Sequence, residues 1–312
     1  MTVGGYLQRQ DIAENVLKFL PLKDLLRVAL VSRRMHVLAS DPLLWDGVSL
    51  NHNNLTNQGL SQYFSDCKFV RFRRLRLLSQ NPFTEEDSTT LLEHLKASGN
   101  KIRELDLRSC NLKDVSPGML AEIVANVMIV KMDNFTKLSS RHWQQIFTYV
   151  SKSQNLVLKE LNLCSVKIGH VSPNLLATAL IKIEKVNLEQ SKITKEQIHA
   201  IMTHIINSQN VLLKDLDLCE IDLREISPDI LAAGALSLEK VSLERAKTTA
   251  KQTKEILTRI SSSKNLLIKD LDLCGIDFSE VPRDLINAGM SKVVRRSFTA
   301  TQAWYIYMKP KF

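Results

Sequence analysis

The sequence predicts an α/β solenoid, a run of short parallel strands each followed by a helix, behind a small all-helical module at the N-terminus. Three observations predict it. First, Lys269-Asp270-Leu271-Asp272-Leu273-Cys274 is written almost unchanged 55 positions earlier as Lys214-Asp215-Leu216-Asp217-Leu218-Cys219. It appears another 55 back as Lys159-Glu160-Leu161-Asn162-Leu163-Cys164, and more loosely as Arg103-Glu104-Leu105-Asp106-Leu107. Leucines two apart with charges between them describe a strand with one buried and one wet face, and recurrence at a fixed period marks a repeat array. Second, nine such strands are centred on Ser49, Arg76, Asp106, Lys131, Asn162, Asn187, Asp217, Ser242 and Asp272, with steps from Leu105 of 25, 31, 25, 30, 25 and 30 residues. Third, helix-start signals fall between the strands at the same period.

Bulk composition sets the outer limits. The 312 residues are 44% hydrophobic and 24% charged, which suits a soluble folded chain with ample core. Arg9, Asp11, Glu14 and Lys18 argue against a signal peptide, and no apolar run approaches the ~20 residues of a membrane span. The net charge is +9, but residues 101–290 contribute only +2 and residues 291–312, with five basic and no acidic side chains, contribute +5. A further cluster is Lys68, Arg71, Arg73, Arg74 and Arg76. This terminal excess is not the continuous basic stripe of a nucleic-acid groove, so nucleic acid is disfavoured as a partner. Cys164, Cys219 and Cys274 stand on alternate strands, about 9–10 Å apart by strand spacing. That is too far for a disulfide, and it predicts free thiols in a reducing compartment, cytoplasm or nucleus.

The N-terminal module reads as three short helices: residues 8–20, ended by Pro21; the run KDLLRVAL; and roughly Arg33 to Ser40, stopping before Asp41-Pro42. Ile12, Val16, Leu17 and Leu20 share one face of the first, and Leu26, Ala29 and Leu30 are expected inward on the second. Phe19-Leu20-Pro21, Asp24-Leu25-Leu26, Val31-Ser32-Arg33-Arg34 and Leu44-Trp45 follow the order and spacing of an F-box, which residues 8–47 resemble. The chain departs from that family where Gln8 and Arg9 replace its opening Leu-Pro pair, and where Met35 replaces an aromatic. The resemblance implies docking onto a Skp-type adaptor, and through it a cullin, by Leu20, Pro21, Leu25, Leu26, Val31, Leu44 and Trp45.

From Val48 the repeat takes over. The short unit reads L-x-x-L-x-L with a further apolar residue five places on (Leu158, Leu161, Leu163, Ile168), and the long unit gives Ile183, Val186, Leu188 and Ile193. Ser116-Pro117, Ser172-Pro173 and Ser227-Pro228 place a capping serine before a first-turn proline. Thr194 with Gln197 and Thr249 with Gln252 make capping boxes. Asn100, Asn155, Asn210 and Asn265 are expected to close the long helices in the left-handed conformation. Residues 48–290 resemble leucine-rich repeats of the alternating, ribonuclease-inhibitor style. That implies a horseshoe with the strands on its concave side and the helices on its convex side. Residues 291–312, with Trp304, Tyr305 and Tyr307, are expected to form a C-terminal cap or tail.

No phosphate loop, CxxC motif or nucleophile elbow appears, and His199 and His204 stand about 140° apart around a helix. No cofactor, metal or enzymatic role is expected. The strand residues between the leucines carry nine basic and thirteen acidic side chains from Arg103 to Asp272. The expected target-binding residues on this face are Asp106, Lys131, Asn162, Asn187, Glu189, Asp217, Glu244 and Asp272, with a basic protein segment as ligand. Together with the F-box resemblance, this reads as the substrate-recognition subunit of an SCF-type ubiquitin ligase. The alternative is a ligase-independent repeat scaffold or inhibitor with a degenerate F-box.

Overall fold

The L-x-L elements are strands, and within each part of the chain they pair in parallel in sequence order. The computed structural model describes residues 15–20, 22–41, 44, 48–51, 74–82, 84–97, 102–133 and 138–297. They divide into two units, Met1–Val130 and Lys131–Phe312. Pro21, Trp45, Cys67, most of the 68–76 basic cluster, Asn100 and the aromatic tail lie outside the described residues.

In the first unit residues 15–17 are helical, followed by α1 (Leu22–Ala29) and α2 (Arg33–Ala39). Ser32 caps α2 by accepting the Met35 N–H at 3.1 Å. Then come β1 (Val48–Asn51), β2 (Arg74–Pro82), α3 (Glu85–Ala97), β3 (Glu104–Asn111) and α4 (Pro117–Ala125). β1 pairs with β2 and β2 with β3, all parallel. Leu75, Leu77, Leu105 and Leu107 of the strands and Leu91, Leu92 and Leu95 of α3 are all buried. One expectation fails here. Leu25 and Ala29 form the buried edge of α1, whereas Leu30, expected inward, is 83% exposed. Among the described side chains Leu25 and Ala29 make one inward i, i+4 pair, and Leu30 lies past the helix end.

β4 (Ile129–Lys131) lies where the units divide. The second unit continues with α5 (Ser140–Lys152), β5 (Glu160–Asn162), α6 (Pro173–Leu180), β6 (Lys185–Asn187), α7 (Lys195–Asn207), β7 (Asp215–Asp217), α8 (Pro228–Leu236), β8 (Lys240–Ser242), α9 (Ala250–Ser262), β9 (Asp270–Asp272), α10 (Arg283–Ser291) and β10 (Arg295–Ser297). β5 to β10 are parallel and in register, so Leu161, Val186, Leu216, Val241 and Leu271 form one buried row. β10 is a tenth strand where the leucine pattern has faded, with Arg296 opposite Leu271. A backbone ladder needs no leucine.

Consecutive helices from α5 to α10 pack side by side. At Gly234 the approach is so close that a Cβ would stand 2.5 Å from the Met202 sulfur. Pro117, Pro173 and Pro228 begin their helices as expected, although only Ser116 of the three capping serines makes the side-chain bond. Both capping boxes are present, and their glutamines do more than cap. Gln197 is fully buried, and its amide donates to the carbonyls of Ile168 at 2.9 Å and Val171 at 2.6 Å. Gln252 does the same to Leu223 and Ile226, both at 2.6 Å. Each ties its helix to the preceding repeat.

The long helices do not end at the periodic asparagines. They end at Lys152, Asn207 and Ser262, with extended serines Ser153, Ser208 and Ser263 as C-caps. No left-handed asparagine occurs among the described residues. The carbonyls of two of these helix ends are taken by lysines of the next repeat, Lys182 on Ser151 and Ser153 and Lys292 on Ser261 and Ser263. A cation there suits both the unpaired carbonyls and the helix dipole.

Candidate functional site

Two surfaces carry the residues singled out by the sequence. The first is on the N-terminal helices. Phe19 is 88%, Leu30 83%, Val31 74% and Val37 71% exposed, an unusual density of large apolar side chains in water. A groove between the helices is lined by Ala29, Leu30, Ser32, Arg33, His36 and Val37. Of the expected adaptor-binding residues, Val31 is exposed, Leu20 and Leu44 are half-buried, and Leu25 is buried. The Leu26 side chain, Pro21 and Trp45 lie outside the described residues. Phe19, Leu30 and Val37 are exposed although they were not among the expected adaptor-binding residues. Their exposure depends on which of several neighbouring apolar residues turn inward, and a helix this short does not specify that by period.

The second surface is the outward face of β5 to β10, where side chains fall into rows across the strands. In the row just before the strands, Lys159 and Lys214 flank Glu184 at 2.9 and 3.9 Å, and Lys269 meets Glu239 at 2.7 Å. In the next row Glu160, Lys185, Asp215, Lys240, Asp270 and Arg295 alternate in sign. Lys185 and Lys240 approach Asp215 at 3.9 and 3.7 Å. These two rows largely neutralise themselves.

The third row holds Asn162, Asn187, Asp217 and Asp272, and each closes the end of its strand. Their side-chain oxygens accept the N–H two residues on, at Cys164 (3.0 Å), Glu189 (2.7 Å), Cys219 (2.9 Å) and Cys274 (2.9 Å). The chain then passes through a left-handed residue, Ser165, Gln190, Glu220, Arg245 (which follows Ser242 of β8) or Gly275, with φ between 52 and 78°. The N–H groups of the first four still extend the ladder, to the carbonyls of Glu189, Cys219, Glu244 and Cys274. Only one of the five is glycine, so the turn carries no composition signal. The repeated Asn/Asp two residues before Cys or Glu was the available clue.

Asp106 occupies the same slot in the first unit but differs. Expected outward, it is buried, and it receives Arg108 Nε at 3.0 Å and Nη2 at 2.7 Å, with Arg76 at 3.5 Å. Burial opposes its ionisation, but the Arg108 hydrogen bonds and the two guanidinium charges outweigh that and hold its pKa below the ordinary value. Asp217 moves the other way. Burial, then the neighbouring Glu189 and Asp215, raise its pKa against the Cys219 backbone bond and Lys240. Burial, with Asp217, Glu244, Glu189 and Glu220 around it, pushes the Cys219 thiol up to about 12. The unneutralised acidity of the face is therefore centred on Glu189 and Asp217, with Glu244 beside them meeting Arg245 at 3.6 Å. Lys131 and Asp272 are half-buried on the same face.

The thiols do not form a reactive row. Cys110, Cys164, Cys219 and Cys274 are free, and the pKa of each is raised, first by burial. Among the described residues no group of His, Cys, Asp and Glu is arranged to hold a metal, and no helix is long and apolar enough to cross a membrane.

Residues 10–51 match the family model described as F-box-like. No curated protein matches the sequence significantly. Among solved structures, the leucine-rich repeat-containing protein LegL7 from Legionella pneumophila is similar, with 13% identity, a TM-score of 0.49 and coverage of 85% of this chain and 91% of that one. The 55-residue period, the strand register and the buried leucine rows establish the repeat fold without it. The chain carries an F-box-like segment at residues 10–51 and leucine-rich repeats after it.

Proposed function

We propose that this protein is a substrate-recognition subunit of an SCF-type (cullin–RING) E3 ubiquitin ligase in the cytoplasm or nucleus. Residues 1–47 dock a Skp-type adaptor, which links the chain to the cullin. Residues 48–290 hold a protein target, and residues 291–312 form a cap or tail. The chain binds and does not catalyse, and ubiquitin transfer belongs to its partners. The observation that carries this reading is the coincidence of the F-box-like match with the apolar groups left in water, Phe19, Leu30, Val31 and Val37. Burying such groups in a partner is favourable by roughly 25 cal/mol per Å² of apolar surface. Val31 makes the contact together with Phe19, Leu30 and Val37, while Leu25 supports α1 from beneath.

The target half of the reading rests on the acidic face. With most outward charges already paired, Glu189 and Asp217 supply the attraction for a basic segment, Glu244 joins them by exchanging its exposed Arg245 partner, and Lys131, Asn162, Asn187 and Asp272 border it. Asp106 is held by Arg108 and Arg76 and takes no direct part. The test is co-purification of the full chain and of a version lacking residues 1–47. The full chain should recover adaptor and cullin and the shortened one neither. If the full chain recovers neither, the ligase reading fails and the ligase-independent scaffold, which Gln8 and Arg9 at the family's opening Leu-Pro positions favour, replaces it.

A further inference from the structure

The loops that lead from helix to strand in the second unit lie along one edge of the strand layer, and their chemistry differs from that of the opposite edge. From β5 to β10 they hold Lys159, Lys182, Lys214, Lys264, Lys269 and Lys292 against two carboxylates, Glu184 and Glu239. The loops that lead from strand to helix, from β5 to α10, hold five basic and seven acidic residues. The lysine-rich edge is also apolar. Leu212 is 54% and Leu267 50% exposed, at equivalent places in successive repeats, and Val157 in the repeat before them is half-buried. Their neighbours Leu213 and Ile268 fill the core, so the exposed leucines are extra to it. The ridge is rigidly based, since the Leu212 N–H donates to the Ile181 carbonyl at 2.8 Å. A groove on the same edge is lined by Ser262, Ser263, Lys264, Leu266 and Lys292.

β5, β7 and β9 are alternate strands of the sheet, which places Val157, Leu212 and Leu267 about 9–10 Å apart. Seven residues of an α-helix advance about 10.5 Å. We propose that this edge docks an acidic amphipathic helix of a partner protein. Apolar residues at every seventh position of that helix rest on Val157, Leu212 and Leu267, and its carboxylates face the lysines. Lys159, Lys214 and Lys269 remain 51%, 56% and 65% exposed despite their pairing with Glu184 and Glu239. Surface pairs of that kind are weak, so a partner carboxylate competes for them. A nucleic acid fits less well, because the leucines offer phosphate nothing and Glu184 and Glu239 interrupt the basic row. The inference uses a different edge from the acidic face and does not depend on the ligase reading.

The test is fluorescence anisotropy of a labelled peptide of about 21 residues, three helical heptads, with leucine at every seventh position and glutamate and alanine elsewhere. The full chain should bind it at least about tenfold more tightly than a matched peptide with lysine in place of glutamate. Leu212→Ser combined with Leu267→Ser should weaken binding about tenfold with the melting temperature unchanged. Lys264→Glu, which leaves the leucines in place, should weaken it as well and serves alone if the leucine variant folds poorly. Equal binding of the two peptides, unchanged affinity in the variants, or no binding of the acidic peptide at millimolar concentration overturns the proposal. So does a short single-stranded oligonucleotide that binds more tightly than the peptide and ignores the leucine substitutions.

Discussion

The N-terminal helices and the strands β5 to β10 solve opposite problems. Among their described side chains α1 and α2 bury Leu25, Ala29, Leu38 and Ala39, and Leu30, Val31 and Val37 stay in water. The repeats bury almost every apolar residue of the motif and put charges outside, where neighbouring strands pair with one another within a row. The difference teaches where binding energy is available. The helices offer apolar surface that a partner can remove from water. The strand face offers a few unpaired charges on a rigid frame, and so selectivity more than affinity.

Core truncation should separate the two regions most widely. Leu216→Ala, at a fully buried position of β7, is expected to cost roughly 2–5 kcal/mol in urea unfolding. Leu30→Ser should change stability by less than about 0.5 kcal/mol. A comparable cost at Leu30 would mean that this side chain is part of a core.

Asp106 and Asp217 sharpen the comparison within the repeats themselves. Asp106→Asn keeps the strand-end turn but loses the Arg108 pairing, and should cost roughly 1–3 kcal/mol at neutral pH. Because the folded pKa of Asp106 is depressed, its contribution is present above the ordinary aspartate value and is lost as pH falls through the folded one. Asp217→Asn should instead stabilise, by less than about 1 kcal/mol, since asparagine already closes the same turn at Asn162 and Asn187. The folded pKa of Asp217 is raised, so its contribution is full below the ordinary value and is lost as pH rises through the folded one. The advantage of Asp217→Asn should therefore vanish in acid. Stability curves for both variants across pH 2–8 test the opposed signs; parallel curves would contradict them.

The smallest effect concerns the left-handed turns. Ser165→Gly should gain about 0.5 kcal/mol by relieving a positive φ of 60°. Gly275→Val should lose more than that, because φ is 78° and a Cβ would stand 2.9 Å from Arg245 Cγ. Thermal melts of the pair check the direction.

Much of the architecture was legible in the sequence because it is periodic. A leucine spacing that recurs every 55 residues fixes strands, register and the inward row together, and the capping boxes mark helix starts. What could not be read depended on neighbours distant in sequence. Gln197 and Gln252 look like ordinary N3 caps until the preceding repeat supplies carbonyls for their amides. Asp106 and Asp217 share a motif slot, but an arginine two residues on captures the first while a cysteine follows the second. Leu30 continues an apolar run that a helix would have turned inward, and the helix stops one residue short of it. The periodic asparagines mimic helix stops because they follow the real ones at constant distance.

The contrast between the two regions is tested most directly by a full-length variant carrying Leu30→Ser, Val31→Ser and Val37→Ser. Its recovery of Skp-type adaptor would be measured beside its unfolding midpoint. The account predicts that adaptor recovery falls by at least about tenfold, equivalent to the loss of roughly 1.4 kcal/mol of binding, while the midpoint stays within error. Undiminished adaptor recovery from a folded variant would contradict it.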